Sequence, residues 1–118
     1  MFIIFAKKSV MKIALVVLNP ETGELGGCLS QAKSFAVYDT NHHKMSQLGL
    51  PNGLGFHHVA VALSHFLKKN DVNALGALDL GPKAKAYLEE QGIKWFLADK
   101  HLSLEDNFTS IIKQLKNE

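Results

Sequence analysis

The chain has 118 residues, 47% of them hydrophobic and 20% charged, with a formal net charge of only +2. That length supports one domain with a real core and not two, and the composition excludes a disordered chain. The lysines are dispersed (Lys7 and Lys8, Lys68 and Lys69, Lys83 and Lys85, Lys113 and Lys116), so there is no basic stripe with interleaved aromatics and no nucleic-acid partner is expected.

Cys28 is the one cysteine. An internal disulfide is therefore impossible, and a reducing compartment, the cytoplasm, is the natural setting. No apolar run approaches the ~20 residues of a membrane span, so no membrane partner is expected. In the opening MFIIFAKKSV (1–10) the apolar stretch precedes the lysines, the reverse of a secretory signal, and no small-residue cleavage site follows. Residues 1–10 read as an extension or an extra edge strand. Met11 opens a more conventional domain start, and 11–118 is taken as the domain.

In chain order, KIALVVL (12–18) is an apolar run rich in β-branched residues, ended by Asn19-Pro20, the pattern of a buried strand. NPETGEL places Pro and Gly where the chain reverses. ELGGCLS reads either as a short strand or as a loop with two glycines. SFAVYD (34–39) alternates Phe35 and Val37 with smaller or polar neighbours and stops at Asp39-Thr40-Asn41, a second strand. HKMSQLGL (43–50) is placed as the other arm of a hairpin with it.

After PNGLG the period changes. Phe56, Val59, Ala60, Leu63, Phe66 and Leu67 recur at spacings of three and four, one stripe of an amphipathic helix that Asn70 and Asp71 stop. VNALGAL (72–78) is a short buried strand. Pro82 suits the first position of a helix because its missing N–H would be unpaired there anyway; Ala84 and Leu88 give that helix a buried side and Gly92 ends it. IKWFL (93–97) is another strand. Ser103 then caps a last helix with Asp106 in its first turn and a stripe of Leu104, Phe108, Ile111, Ile112 and Leu115. The sum is an antiparallel, meander-like first half and a parallel second half with right-handed crossovers: an α/β fold, one mixed five-stranded sheet with helices on its faces.

The order of these motifs resembles the dinitrogenase iron–molybdenum cofactor biosynthesis domain of the NifX and NifB C-terminal type. The likeness is carried by MKIALVV (11–17), CLSQAKSFAVYD (28–39), NGLGFHHVAVALSHFL (52–67) and DVNALGALDLGPKAKAYLEEQGIKWF (71–96), over about residues 11 to 100. The resemblance implies a ribonuclease-H-like, three-layer α/β/α fold. It also implies a non-catalytic accessory protein that binds or carries iron–molybdenum cofactor or iron–sulfur cluster precursors, with cofactor-assembly proteins as partners. Where that family often has His-Phe-Gly, this chain has Cys28-Leu29-Ser30. A thiolate in place of an imidazole is a softer ligand suited to iron–sulfur chemistry, and the lost glycine changes the loop.

Candidate site residues follow from this. With Phe56 on the buried stripe, ~100° per residue puts His57 on the flank of the helix and His58 and His65 nearly opposite the core. Adjacent histidines on one helix diverge and do not share a metal easily. A metal site is therefore expected to join Cys28 and His57, with His58 nearby. Gly53 and Gly55 precede the helix, where free N–H groups and the helix dipole suit a metallocluster or another small anionic ligand; Gly81-Pro82 offers a similar helix start. His65, and His42 and His43 in a turn, are expected to face water. Two rival readings stand beside this one. A cluster-free interaction or oligomerisation domain is the first, because one cysteine supports a tightly held cluster poorly. The second is a phosphate-handling enzyme or nuclease on the same fold. It is disfavoured because KIALVVL carries no carboxylate for a two-metal centre and no nucleophile elbow, Walker loop or Cys-x-x-Cys is present.

Overall fold

The computed structural model describes residues 11–51 and 59–117. The antiparallel half comprises strands β1 (Lys12–Asn19), β2 (Glu24–Leu25), β3 (Ser34–Asp39) and β4 (Lys44–Gly49), with one 3-10 turn at Leu29–Gln31 before β3. Helix α1 (Val59–Lys69), strand β5 (Ala74–Ala77), helix α2 (Pro82–Glu90), strand β6 (Lys94–Leu97) and helix α3 (Leu104–Lys116) follow. Among the described residues no helix is long and apolar enough to cross a membrane.

Strand order is β4-β3-β1-β5-β6, with β2 paired to β1 off that path. The first three pairings (β1 with β2, β1 with β3, β3 with β4) are antiparallel, and β5 lies parallel to both β1 and β6. The sheet is mixed as expected, but it has six strands rather than five. The sixth is ELGGCLS resolving into both of its readings: Glu24 and Leu25 pair with Asn19 and Val17, and the loop begins after them. The two-residue strand escapes sequence patterning because so short a run has no measurable alternation.

Successive residues of β1 feed two separate cores, as the period of two in a strand demands. Ala14 and Val16 join Phe35, Val37, Leu75, Leu63, Leu67 and Leu88 under α1 and α2. Ile13, Leu15 and Val17 join Ala36, Ala74, Phe96, Phe108 and Ile111 under α3. The result is three layers, two helices on one face and one on the other. At Gly76 the α3 layer comes so close that a built Cβ would lie 2.7 Å from Leu15 Cδ2 and 2.8 Å from Ile111 Cδ1, which is why the centre of β5 carries no side chain.

Helix ends follow the sequence signals. Gly81 precedes Pro82, the first residue of α2. Gly92 takes a φ of 74° while its N–H bonds Glu89 O and that of Ile93 bonds Leu88 O, a Schellman closure. Asp71 does the same for α1 at φ 63°, with Asp71 N–H on Lys68 O and Val72 N–H on Leu67 O. Ser103 Oγ accepts the Asp106 N–H at 3.0 Å. Asn107, which no apolar pattern marks, is buried on the inner side of α3. Its Oδ1 accepts the Asp99 N–H at 2.8 Å and its Nδ2 donates to the carbonyls of Asp99 and Ser103, each at 3.0 Å. One side chain thus ties the β6–α3 loop to the helix.

Candidate functional site at the carboxyl end of the parallel strands

The three helices α1, α2 and α3 follow β4, β5 and β6 in chain order, and those strands finish at the same end of the sheet as β1. Open α/β sheets bind ligands in the crevice outside the carboxyl ends of their strands. Here the crevice is split by the glycine pair. Gly26 N–H bonds Val16 O at 2.9 Å, while Leu78 N–H bonds Gly26 O at 3.1 Å and Asp79 N–H bonds Gly27 O. The 26–27 backbone is therefore wedged between the end of β1 and the chain leaving β5. A Cβ at Gly26 would sit 2.7 Å from Val16 Cγ1, so only a bare backbone approaches β1 this closely.

Cys28 is the next residue, half-buried at this fork. Its backbone is extended (φ −136°, ψ 167°) and it leads into the 3-10 turn. Its Sγ lies 3.3 Å from Ser30 Oγ. Leu29 is anchored in the core under α1 and α2, and α1 packs against the 3-10 turn itself. Helix α2 starts at Pro82, three residues after Asp79, whose N–H is held by the Gly27 carbonyl. The loop that carries the thiol is thus tied to the face served by α1 and α2. Neither has an acidic residue in its first turn, and Gly81 gives α2 no side-chain cap. In contrast, α3 is capped by Ser103 and carries Glu105 and Asp106 in its first turn. The first turns of α1 and α2 therefore add no carboxylate to this edge, and Asp79 stands at the fork three residues before Pro82.

Of the residues expected to form the site, Cys28 is on the edge just described. Gly53, Gly55, His57 and His58 lie outside the described residues. The chain enters that segment from the end of β4 and leaves it into α1, and both of these points are at the same edge as Cys28. His65 is exposed on α1, as expected from its helical phase. His42 and His43 are exposed in the β3–β4 turn, but each has a partner: His42 Nδ1 is 3.0 Å from Asp39 Oδ2 and His43 Nδ1 is 3.4 Å from Tyr38 Oη. The hydrogen bond from His42 holds the Asp39 carboxyl below the ordinary aspartate range; partial burial opposes this, and the backbone N–H groups of Asn41 and His42 add to it. Among the described residues no group of three or more His, Cys, Asp or Glu could hold a metal ion. The sequence reading did not single out Ser30 as the neighbour of the thiol; its spacing of two from Cys28, across a buried leucine, is the signal that marks it.

Residues 11–114 match the model of the family described as dinitrogenase iron–molybdenum cofactor. A comparison with curated proteins gives no match. Among solved structures, the apo form of the orange protein from Desulfovibrio gigas superposes with a TM-score of 0.76 at 20% identity, over 92% of each chain. A candidate NifB protein from Thermotoga, solved by NMR, superposes with a TM-score of 0.67 at 16% identity, over 86% of this chain and 87% of that one. At such identities the likeness to the two structures is one of fold.

Proposed function

Because the chain belongs to the dinitrogenase iron–molybdenum cofactor family, we propose that it is a small accessory protein that holds a cluster precursor as cargo at the carboxyl edge of a ribonuclease-H-like sheet. The cargo class is an iron–molybdenum cofactor precursor or an iron–sulfur cluster. The observation that carries this reading is the position of Cys28, a soft donor held half-exposed at the fork between β1 and β5, at the edge where α1 and α2 begin with no acidic residue in their first turns. Cys28 and His57 are the proposed metal ligands, Gly53 and Gly55 the backbone cradle, and His58 an added contact.

The donor chemistry fits a cargo better than a resident cluster. A cluster locked into a protein usually has a protein ligand at every iron, most often a Cys thiolate, whereas this chain has one thiol, beside the Ser30 hydroxyl. A cargo that brings its own sulfide or organic-acid ligands needs few protein ligands, and a small ligand set lets it leave. Ser30 Oγ, 3.3 Å from the sulfur, can donate to a bound thiolate and orient it. The role is binding and not catalysis: β1 carries no carboxylate, and the family resemblance is to carriers. A cluster-free interaction domain is the rival reading, favoured by the lack of a three-ligand group among the described residues.

Anaerobic reconstitution with iron and sulfide separates the two. The expected result is charge-transfer absorbance that Cys28→Ala largely abolishes and His57→Ala reduces, with both variants folded by circular dichroism. No absorbance in the parent chain, or a spectrum unchanged in both variants, excludes this site.

A further inference from the structure

We propose that the cavity at the opposite end of the sheet, between the start of β1 and the last turn of α3, is a second binding site, for an apolar molecule carrying one acidic group. It is independent of Cys28 and of any cluster. Its volume is about 460 Å³, within the range of small-molecule sites, which are mostly apolar with a few placed polar groups. The floor is Met11, Tyr38, Ile112 and Leu115. All four are half-buried and packed against the α3-side core, so each keeps apolar surface in water that a ligand would cover. The space exists because α3 alone serves this face.

Among the described residues the rim is polar and carries no acidic side chain. Lys116 supplies an ammonium, with Thr40 and His43 beside it. Thr40 Oγ1 donates to Met11 O at 3.1 Å, and the Tyr38 hydroxyl and the His43 ring pair with each other at 3.4 Å, so among the described residues Lys116 is the rim group without a protein partner at this cavity. His43 is set there by the turn. It takes a left-handed φ of 51°, and Asp39 Oδ1 accepts the N–H groups of Asn41 and His42. Among the described residues no Asp or Glu lines the cavity, and the carboxylate of Asp39, next to Tyr38, faces His42. Lys113 and Lys116 in the last turn of α3 offset the negative end of its dipole. Apolar walls and an exposed cation without a lining carboxylate select an amphiphilic carboxylate, whether aliphatic or aromatic, over a neutral molecule of equal size.

The test is an NMR titration of the full-length chain with octanoate and, separately, with its uncharged counterpart 1-octanol. The expected result is that octanoate shifts the methyl signals of Met11, Ile112 and Leu115 and the ring signals of Tyr38. It should bind about two- to fivefold more tightly than octanol, the advantage a partly exposed charge pair provides. Lys116→Gln, at an exposed position, should abolish that preference and leave octanol binding unchanged. The proposal is overturned by shifts that are absent or lie elsewhere, by equal affinity for the two probes, or by a preference that survives Lys116→Gln. Concentration-dependent self-association that blocks the methyl shifts also overturns it, since a second copy would then be the occupant.

Discussion

On one face of the sheet two helices bury Leu63, Leu67 and Leu88 against Val16, Phe35 and Leu75, an aliphatic cluster that continues into Leu29, Val72, Leu80 and Ile93. On the other face a single helix rests on fewer residues and depends on particular ones. Gly76 admits Ile111 to the centre of the sheet, and Asn107 fastens the loop that delivers α3. The first face is redundant, because the loss of any one contact leaves many. The second is pinned at a few points. Its Phe108 reaches β3 at Tyr38, the ring centroids 5.5 Å apart, and the cavity at Tyr38 lies at that margin of the helix. The proposed cargo edge belongs to the redundant face, and Cys28 is carried by a loop whose Leu29 is part of that core.

The largest effect expected from testing this contrast is on the two-helix face. Leu67 is fully buried, and Leu67→Ala should cost about 2–5 kcal/mol, the range for a buried leucine whose cavity only partly collapses. Urea unfolding should show a lower midpoint with one cooperative transition, because this core is shared by both helices and the sheet. Asn107→Ala comes next. It leaves the Asp99 N–H without its partner, worth about 1–3 kcal/mol; the Ser103 carbonyl keeps the backbone N–H of residue 107. The contrast is sharpened if hydrogen exchange quickens in α3 and the 98–103 loop while α1 and α2 keep their protection; uniform loss of protection would show that α3 is not separately pinned.

The smallest effect concerns the β3–β4 turn, at the margin of the α3 face. The Asp39 carboxyl is held below its ordinary range by His42, so its contribution to stability is fully present above the unfolded aspartate pKa. That contribution is lost as the pH falls through the lowered folded value. A carboxyl-detected NMR titration should place the Asp39 midpoint below those of the solvated aspartates. His42→Ala should move it upward with little change in stability near neutral pH, because the His42 side chain is largely exposed.

Much of the fold was legible locally. SFAVYD was placed at 34–39 and β3 spans Ser34–Asp39; the hairpin arm HKMSQLGL contains β4; Ser103, Pro82 and Asp71 stand where the expected helix ends put them. These signals work because capping, left-handed closure and hydrophobic period are decided within a few residues. The site was less legible. Cys28 was marked by its residue type and by a family motif, but its position at the fork follows from hydrogen bonds of Gly26 and Gly27 to Val16, Leu78 and Asp79, partners ten to fifty-two residues away in the chain. Asn107 escaped notice for a related reason. A buried asparagine breaks the apolar stripe and gives no sign of its partners until the loop is folded over it.

The sequence by itself determined the kinds of element, their order and most of their ends, together with the family, because periodicity, caps and motif order are properties of neighbouring residues. Only the tertiary structure decided the strand order β4-β3-β1-β5-β6, the short sixth strand, the wedge that carries the thiol and the half-covered face with its cavity. These depend on backbone hydrogen bonds and close contacts between distant segments. Backbone groups are the same in every residue, so no local pattern records which of them will meet.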